Sequence, residues 1–179
     1  MKIGIISDTH DRLESIKKAI ELFEQNNIEL IIHCGDWVSP FTLEFFDATP
    51  ANKIPIKSVY GDNEGDIKRI IECNLKLSNP IEFCSKQAME LDLDGRKAII
   101  YHGHDKAVLN ALIKSQLYDV ILTGHSHIVR NETEGKTLIL NPGSTCFASG
   151  SKMIDKASVA IYDSTNNSAE IVEFSKKDV

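Results

Sequence analysis

The sequence predicts an α/β protein, most simply two packed sheets flanked by helices. Three observations favour this class. Short apolar runs ending in polar residues alternate with helical segments through most of the chain, and the part from residue 128 onward looks wholly β. No internal repeat, low-complexity tract or Pro/Ser-rich linker divides the chain, so residues 1–179 are predicted to form a single domain.

The first half contains three predicted strands and two predicted helices. The run "KIGIIS" predicts a strand that ends at Asp8, and "IELIIHC" predicts a second strand that ends before Asp36. "PFTLEFFDA" predicts a helix with Pro40 near its start, and "IKSVY" predicts the strand before "GDNEGD". The helix after the first strand is predicted from four apolar residues at helical spacing: Leu13, Ile16, Ile20 and Phe23.

The second half begins with a predicted hairpin, "AMELDLDGRKAIIYHGH", which turns at Asp94-Gly95. A helix over "KAVLNALIKSQL" and a strand over "DVILTGHSH" follow. Two further strand pairs are predicted in "IVRNETEGKTLILNPGS", around Gly135, and in "ASVAIYDSTNNSAEIVEF", around Asn166 and Asn167.

Composition excludes several classes of protein. With 42% hydrophobic and 26% charged residues the chain suits one globular domain, and its net charge of -6 offers no basic face for tight binding to duplex nucleic acid. The first apolar run is too short for a signal peptide, and no stretch approaches the ~18 apolar residues of a membrane span. We therefore expect a soluble, cytoplasmic protein. The four cysteines lack a C-x-x-C pair and are predicted to be reduced, mostly buried thiols.

Polar residues follow the predicted strands at the points where they end. In open α/β sheets ligands bind at this edge, so one spatial cluster is predicted. Five of the six histidines lie there, whereas His33 lies inside an apolar run and is predicted to make core hydrogen bonds that orient the Asp36 loop. The predicted cluster contains Asp8, His10, Asp36, Asp62, Asn63, His102, His104, His125 and His127.

Taken in order, the motifs "DTH", "HCGD", "YGDNEGD", "YHGH", "TGHSH" and "NPGS" resemble those of calcineurin-like metallophosphoesterases, in particular the small single-domain phosphodiesterases. The resemblance covers residues 1 to 145. It implies a four-layer α-β-β-α sandwich with two mixed sheets. It also implies two divalent metal ions, with Mn²⁺ as the first choice and Ni²⁺, Zn²⁺, Fe or Mg²⁺ as alternatives.

The resemblance further implies the ligands of both ions. Asp8, His10 and His127 hold one ion, His102 and His125 hold the other, and Asp36 bridges the two. Such a bridge holds the ions ~3.5–4 Å apart, so that a shared water loses a proton and attacks phosphorus in line. If "GHSH" is locally extended, the imidazoles of His125 and His127 project to opposite sides and each faces a different ion.

The stretch "GDNEGD" departs from the family pattern. The family usually has Gly-Asn, then His or another residue, then Asp or Glu, and the first Asn binds the second metal. Asp62 stands at that position here and adds a negative charge, which predicts a preference for singly charged phosphodiesters over monoesters. A one-residue shift would make Asn63 the ligand instead. Glu64 and Asp66 are expected to be solvated or to cap the next helix.

The family's usual leaving-group acid, a His, is replaced by Asn63, and a carboxamide cannot transfer a proton at neutral pH. His104 is the best local replacement as general acid or phosphate contact, although a hydrogen-bonded or outer-shell role is the favoured interpretation. The "NPGS" stretch (Asn141 to Ser144) is expected to support the metals from nearby. Arg12 and Lys106 could contact phosphate, but solvation is expected for both. Trp37, Tyr118 and Phe147 could line a base- or aryl-binding surface, and packing explains these aromatic residues equally well.

The predicted function is metal-dependent hydrolysis of small phosphodiesters at a dinuclear site. A phosphomonoesterase is one alternative. The other is a non-enzymatic protein-binding scaffold, like the retromer subunit of the same fold. An oxygen or nitrogen ligand at all seven implied positions favours the enzyme, and no G-x-G-x-x-G or Walker motif supports another cofactor. The expected partner is a small phosphate ester, and the C-terminal hairpins offer an edge for a homo-oligomer.

Overall fold

The computed structural model describes residues 1–149 and 152–179. Within them the strands are β1 (Lys2–Ile6), β2 (Leu30–His33), β3 (Ile56–Ser58), β4 (Glu82–Phe83), β5 (Ala88–Leu93), β6 (Arg96–Tyr101), β7 (Val120–Leu122), β8 (Arg130–Glu134), β9 (Thr137–Asn141), β10 (Ala148–Ser149), β11 (Lys152–Met153), β12 (Lys156–Asp163) and β13 (Ser168–Ser175). The helices are α1 (Leu13–Gln25), α2 (Pro40–Asp47), α3 (Ile67–Asn74) and α4 (Lys106–Ser115), with a short 3-10 helix over Pro50–Lys53.

Two large sheets organise the chain. The first sheet has the strand order β13-β12-β1-β2-β3-β4, and the second has the order β5-β6-β7-β9-β8. In the first sheet β1, β2, β3 and β4 pair in parallel in that order, and in the second sheet β6, β7 and β9 do so. The strands β12, β13, β5 and β8 run antiparallel to their neighbours. Both sheets are therefore mixed, as predicted.

Three apolar layers separate the elements. Phe23, Trp37 and Phe46 belong to the layer between the first sheet and helices α1 to α3. A second layer fills the space between the sheets, and a third lies between the second sheet and α4. Neighbouring residues of β6 illustrate the alternation of a strand, because Ile100 joins the middle layer and Ile99 the outer one. The predicted α-β-β-α sandwich in a single domain is confirmed.

Most predicted elements are present, and the differences concern short ones. The hairpin of β5 and β6 turns at Asp94 (φ 55°) and Gly95 (φ 83°), the two positive values that a type I′ turn requires. The 3-10 helix and the two-residue strands β4, β10 and β11 were not predicted, because elements this short carry no periodicity. None of the helices in the described ranges is long and apolar enough to cross a bilayer.

Strand register brings the loops of both sheets to one edge. Ile6 of β1 pairs with His33 of β2, and His33 pairs with Ser58 of β3, so these three strands end level with one another. In the second sheet Leu122 of β7 lies between Ile100 of β6 and Leu140 of β9. The loops that follow the parallel strands of the two sheets supply the site described below.

Candidate metal centre

The loops at this edge gather all seven predicted ligand positions. The three carboxylates follow strands of the first sheet, whereas three of the four imidazoles follow strands of the second sheet and only His10 comes from the first. The side chains form two adjoining groups, in each of which the ligand atoms lie within 4.8 Å of one another: Asp8, His10, Asp36 and His127, and Asp62, His102 and His125.

In the first group two imidazole nitrogens and two carboxylates point at one place. His127 Nε2 lies 3.2 Å from Asp8 Oδ1 and 3.3 Å from His10 Nε2, and His10 Nε2 lies 3.4 Å from Asp36 Oδ2. His127 Nδ1 donates to the carbonyl of Ala148 at 2.6 Å. Because that bond places the hydrogen on Nδ1, the lone pair of Nε2 is directed into the group, as in metal-binding histidines.

In the second group Asp62 Oδ1 lies 3.0 Å from His102 Nε2 and 2.9 Å from His125 Nδ1. His102 is fully buried, and its Nδ1 donates to the carbonyl of Cys34 at 2.7 Å. Its Nε2 makes no well-aligned hydrogen bond within the described residues, although it lies 3.3 Å from Asp36 Oδ1. A buried lone pair that faces carboxylate oxygens is repelled by them unless a cation or a proton lies between, so the donor set fits a metal ion.

Asp36 connects the two groups. Its Oδ2 faces His10 at 3.4 Å, and its Oδ1 faces His102 Nε2 at 3.3 Å. Asn63 holds the same carboxylate with two donors, its backbone N–H to Oδ1 and its carboxamide to Oδ2, both at 2.9 Å. One buried carboxylate therefore presents one oxygen to each group, which is the arrangement that a bridging ligand needs.

The electrostatics of these residues favour added positive charge. Burial acts to lower the pKa of His102, but the hydrogen bond and charge of Asp36 outweigh it and raise that pKa to about 9. Burial also acts to lower the pKa of His127, but the hydrogen bond to Asp8 outweighs burial and raises that pKa to about 11. Burial raises the pKa of Asp36, yet the hydrogen bond and charge of His102 bring it well below its ordinary value. Protons here occupy the place that a divalent cation can take.

Five ligand positions have a left-handed backbone, which costs roughly 1–3 kcal/mol for a non-glycine residue. Hydrogen bonds between loops hold this conformation. The N–H of Asp8 donates to the carbonyl of Gly35 at 3.0 Å, and the N–H of His10 donates to the carbonyl of Asp36 at 3.3 Å. The positive φ angles are those of Asp8 (53°), His10 (42°), Asp36 (62°), His125 (63°) and His127 (56°).

The expectation of a locally extended "GHSH" is wrong. His125 and His127 are both left-handed, and the backbone N–H of His125 donates to the Asp8 carboxylate at 3.0 Å. That bond ties the loop after β7 to the end of β1. The two imidazoles nevertheless reach different groups. The turn between the two residues directs them apart, and not the alternation of side chains along an extended strand.

Two glycines make room for the carboxylates. A Cβ at Gly61 would lie 2.0 Å from Asp36 Oδ1, and a Cβ at Gly124 would lie 1.9 Å from Ser7 Oγ and 2.7 Å from Asp8 Oδ2. Neither glycine was singled out from the sequence. The available signal was position, since each glycine directly precedes a predicted ligand.

Glu64 is the main correction to the predicted site. It was expected to be solvated or to cap a helix, but it is half-buried and its carboxylate accepts four backbone hydrogen bonds. Glu64 stands where the family motif ends in Asp or Glu, a signal that was not used. Asp66 does cap α3, accepting from the N–H of Arg69 at 3.0 Å. The donors to Glu64 are the N–H groups of Asp36, Trp37, Val38 and Gly61.

The two candidate catalytic residues lie beside the groups. Asn63 is exposed, and its carboxamide donates to Asp36 Oδ2 at 2.9 Å. His104 is half-buried, with its ring centroid 6.0 Å from that of His102 and 6.5 Å from that of His125. Its buried Nδ1 has no hydrogen-bond partner in the described part of the chain. Arg12 and Lys106 are exposed.

His33 supports the Asp36 loop from the core. Its Nδ1 accepts the N–H of Gly35 at 3.1 Å, so Nε2 carries the hydrogen and donates to Thr9 Oγ1 at 3.2 Å. Thr9 in turn donates to the carbonyl of Asp36. The His33 ring stacks on Trp37 with centroids 3.7 Å apart, and burial keeps the pKa of His33 well below its ordinary value. A neutral histidine thus fixes the loop, in the manner predicted.

The "NPGS" stretch supports the loops of the first group. Asn141 donates to the carbonyl of Gly124 at 2.7 Å, and Ser144 Oγ donates to the carbonyl of Asp8 at 2.8 Å. The aromatic residues considered as a binding surface are instead buried, as packing predicts: Trp37, Tyr118 and Phe147.

Comparison with known proteins identifies the family. The model of the calcineurin-like phosphoesterase superfamily domain matches residues 1–167. The chain belongs to that superfamily. Phosphodiesterase MJ0936 of Methanocaldococcus jannaschii is 44% identical to this phosphoesterase over 146 residues, which cover 82% of this chain and 85% of that protein.

Solved structures agree with this assignment. That of a novel archaeal phosphodiesterase matches with a TM-score of 0.84 and 35% identity, over 97% of this phosphoesterase and 100% of that chain. Zinc-complexed Vps29 of Entamoeba histolytica matches with a TM-score of 0.61 and 15% identity, over 98% and 99% of the two chains, and shares the fold alone. The predicted enzyme class, a metal-dependent phosphoesterase, is confirmed by the family.

Proposed function

We propose that this phosphoesterase hydrolyses small phosphodiesters at a site that holds two divalent ions. The observation that carries the proposal is the position of Asp36 between two groups of oxygen and nitrogen donors, with one carboxylate oxygen toward each. Asp8, His10 and His127 hold the first ion, and Asp62, His102 and His125 hold the second. The description of the relative MJ0936 as a phosphodiesterase supports the substrate class.

A bound metal pair supplies Lewis acidity and lowers the pKa of a water that attacks phosphorus. The residues of this chain contribute orientation. The carbonyls of Cys34 and Ala148 accept from Nδ1 of His102 and His127, so both Nε2 atoms already face the site before any ion arrives. Asn63 keeps the Asp36 carboxylate in the plane that serves both groups.

The first choice of metal is Mn²⁺. Carboxylate and imidazole donors suit Mn²⁺, while Ni²⁺, Zn²⁺, Fe and Mg²⁺ are the alternatives. The four free cysteines are consistent with the reducing cytoplasm, which we propose as the compartment.

Asp62 is proposed to set the choice between diesters and monoesters. Its carboxylate contacts both histidines of the second group, whereas Asn63 donates to Asp36, so the geometry favours Asp62 over Asn63 as ligand. Three carboxylates facing two divalent ions leave a net charge of about +1, against about +2 if residue 62 were Asn. A dianionic monoester loses more attraction from this difference than a monoanionic diester does.

Asp62→Asn tests this charge effect. Chelator-stripped protein is reloaded with Mn²⁺ and assayed with a bis-aryl phosphate and with the matching monoester. We expect metal-dependent diester turnover in the wild type and, in the variant, a monoester-to-diester ratio at least about fivefold higher, since one unit charge at ~4 Å is worth ~1–4 kcal/mol. An unchanged ratio would refute the charge effect. Two bound ions without turnover of either ester would favour the protein-binding scaffold.

His104 is proposed to protonate the leaving group, because its half-buried ring lies beside the second group, with its centroid 6.5 Å from that of His125. General acid catalysis typically contributes 10²–10⁴-fold. His104→Gln is therefore expected to lower kcat for an alkyl leaving group by about 100-fold and to affect a nitrophenyl leaving group much less. Equal losses for both leaving groups would contradict this role.

A further inference from the structure

Glu64 lies in a pocket made of peptide N–H groups. Its Oε1 accepts from the N–H of Asp36 at 3.0 Å and of Gly61 at 2.9 Å, and its Oε2 accepts from Trp37 at 3.1 Å and Val38 at 2.9 Å. Consecutive N–H groups that converge on one point form an anion-binding nest. The nest exists because Asp36 and Val38 have positive φ angles of 62° and 78°.

Both oxygens of Glu64 are needed, and both accept. A glutamine of the same shape supplies one accepting oxygen, while its NH₂ group would face two backbone donors. Leaving such partly buried donors unpaired is unfavourable, because they lose their hydrogen bonds without regaining those to water. The four backbone donors therefore require a carboxylate at this position. Glu64 itself does not belong to either ligand group.

The carboxylate joins two loops that carry metal ligands. Three of its donors belong to the loop of Asp36, the bridging residue, and the fourth is the residue before Asp62. This connection reaches the second group through the loop of Asp62, whereas the first group has no ligand on that loop. In the second group the side chains of Asp62 and His125 are 39% and 35% exposed and that of His102 is fully buried. In the first group the most exposed side chain is that of His10, at 26%.

We propose that Glu64 is a positioning residue that assembles the second metal site. By fixing the Asp36 loop relative to Gly61, it sets the distance between the bridging carboxylate and the Asp62 carboxylate. The first site keeps its geometry through other contacts, namely Asp8 to Gly35 and His125 to Asp8. The inference rests on the proposed two-metal function and adds that affinity for the second ion is controlled from outside the ligand set.

The test compares Glu64→Gln with Asp66→Asn, a control that removes the same charge from the same loop. Mn²⁺ binding to chelator-treated protein is followed by calorimetry, and the coupling between two Mn²⁺ ions is followed by electron paramagnetic resonance. We expect Glu64→Gln to weaken the second ion at least tenfold, as loss of a hydrogen bond to a ligand loop typically does. The first ion should bind within about threefold of wild type, and Asp66→Asn should leave both ions unchanged.

Several results would overturn the role of Glu64: equal weakening of both ions, weakening of neither, the same loss in Asp66→Asn, or a wild type that binds one ion only. If Glu64→Gln does not fold, the titration uses Glu64→Asp, which keeps the charge but shortens its reach. Selective weakening of the second ion then supports the role, and unchanged binding overturns it. A wild type that binds two ions but hydrolyses neither ester defeats the proposed function alone.

Discussion

Gly61→Ala is the substitution whose effect follows most directly from the geometry. The new methyl group would lie 2.0 Å from Asp36 Oδ1 and 2.5 Å from the backbone nitrogen of Asp36, while ordinary contact begins at 3.4 Å. Either the carboxylate or the backbone must therefore retreat by about 1.4 Å. The φ angle of Gly61 is not in the left-handed region, so the effect of the variant is steric.

The expected losses are large for a single methyl group. Because the nearest atoms include backbone, relaxation is limited, and the cost lies at the upper end of the range for overpacking, about 3 kcal/mol. For a chain of this size that corresponds to a fall in Tm of roughly 6–12 °C. Asp36 faces both groups, so both ions are expected to bind more weakly. A displacement of ~1 Å costs about 100-fold in turnover.

The measurement pairs thermal melting of metal-free protein with Mn²⁺ titration and diester turnover. Gly65→Ala is the matched control in the same loop, because its Cβ would meet only the Val38 carbonyl, at 3.1 Å. We expect that control to melt within a few degrees of wild type and to keep its turnover. If Gly61→Ala retains metal affinity and turnover within threefold, the inferred dependence on the position of Asp36 is wrong.

The remaining predictions concern protonation and backbone strain. In the metal-free protein the pKa is raised to about 9 for His102 and to about 11 for His127. Protonation of these histidines therefore stabilises the folded state fully below their unfolded-state pKa near 6.5. This stabilisation is lost as the pH rises through the two folded-state pKa values. Melting scans should therefore show Tm falling from pH 7 to 9.5, while Mn²⁺ binds more tightly as it displaces fewer protons; a rising Tm would contradict this. Val38→Gly should relieve a β-branched residue at φ 78° and raise Tm by about 2–4 °C, since about 2 kcal/mol of strain relieved less about 1 kcal/mol of glycine entropy leaves about 1 kcal/mol. A lower Tm would show that Val38 is not strained.

Much of the fold was predictable because its elements carry periodic patterns. The apolar spacing of α1, the hairpin turn at Asp94-Gly95 and the strand-end polar residues are all local features of the sequence. The candidate site was predictable for the same reason, since its ligands directly follow strands. Resemblance added the division of these residues between two ions, and that division stays a prediction.

The remaining features depend on contacts between distant parts of the chain. The tautomers of His102 and His127 are set by carbonyls of Cys34 and Ala148, and every residue has a carbonyl. The left-handed ligands are held by hydrogen bonds such as Asp8 to Gly35, which no local pattern encodes. Glu64 was misjudged because an acidic residue in a polar loop is usually solvated.

The two sheets contribute chemically different halves of the centre, with every carboxylate from the first and most imidazoles from the second. Bound ions would therefore cross-link the sandwich at its open edge, adding to the apolar layer and the few hydrogen bonds, such as His102 to Cys34, that already join the two sheets. Separation of the sheets would then require loss of the ions first. Metal occupancy of the centre is expected to slow unfolding, so that resistance to proteolysis lasts as long as the metals remain bound.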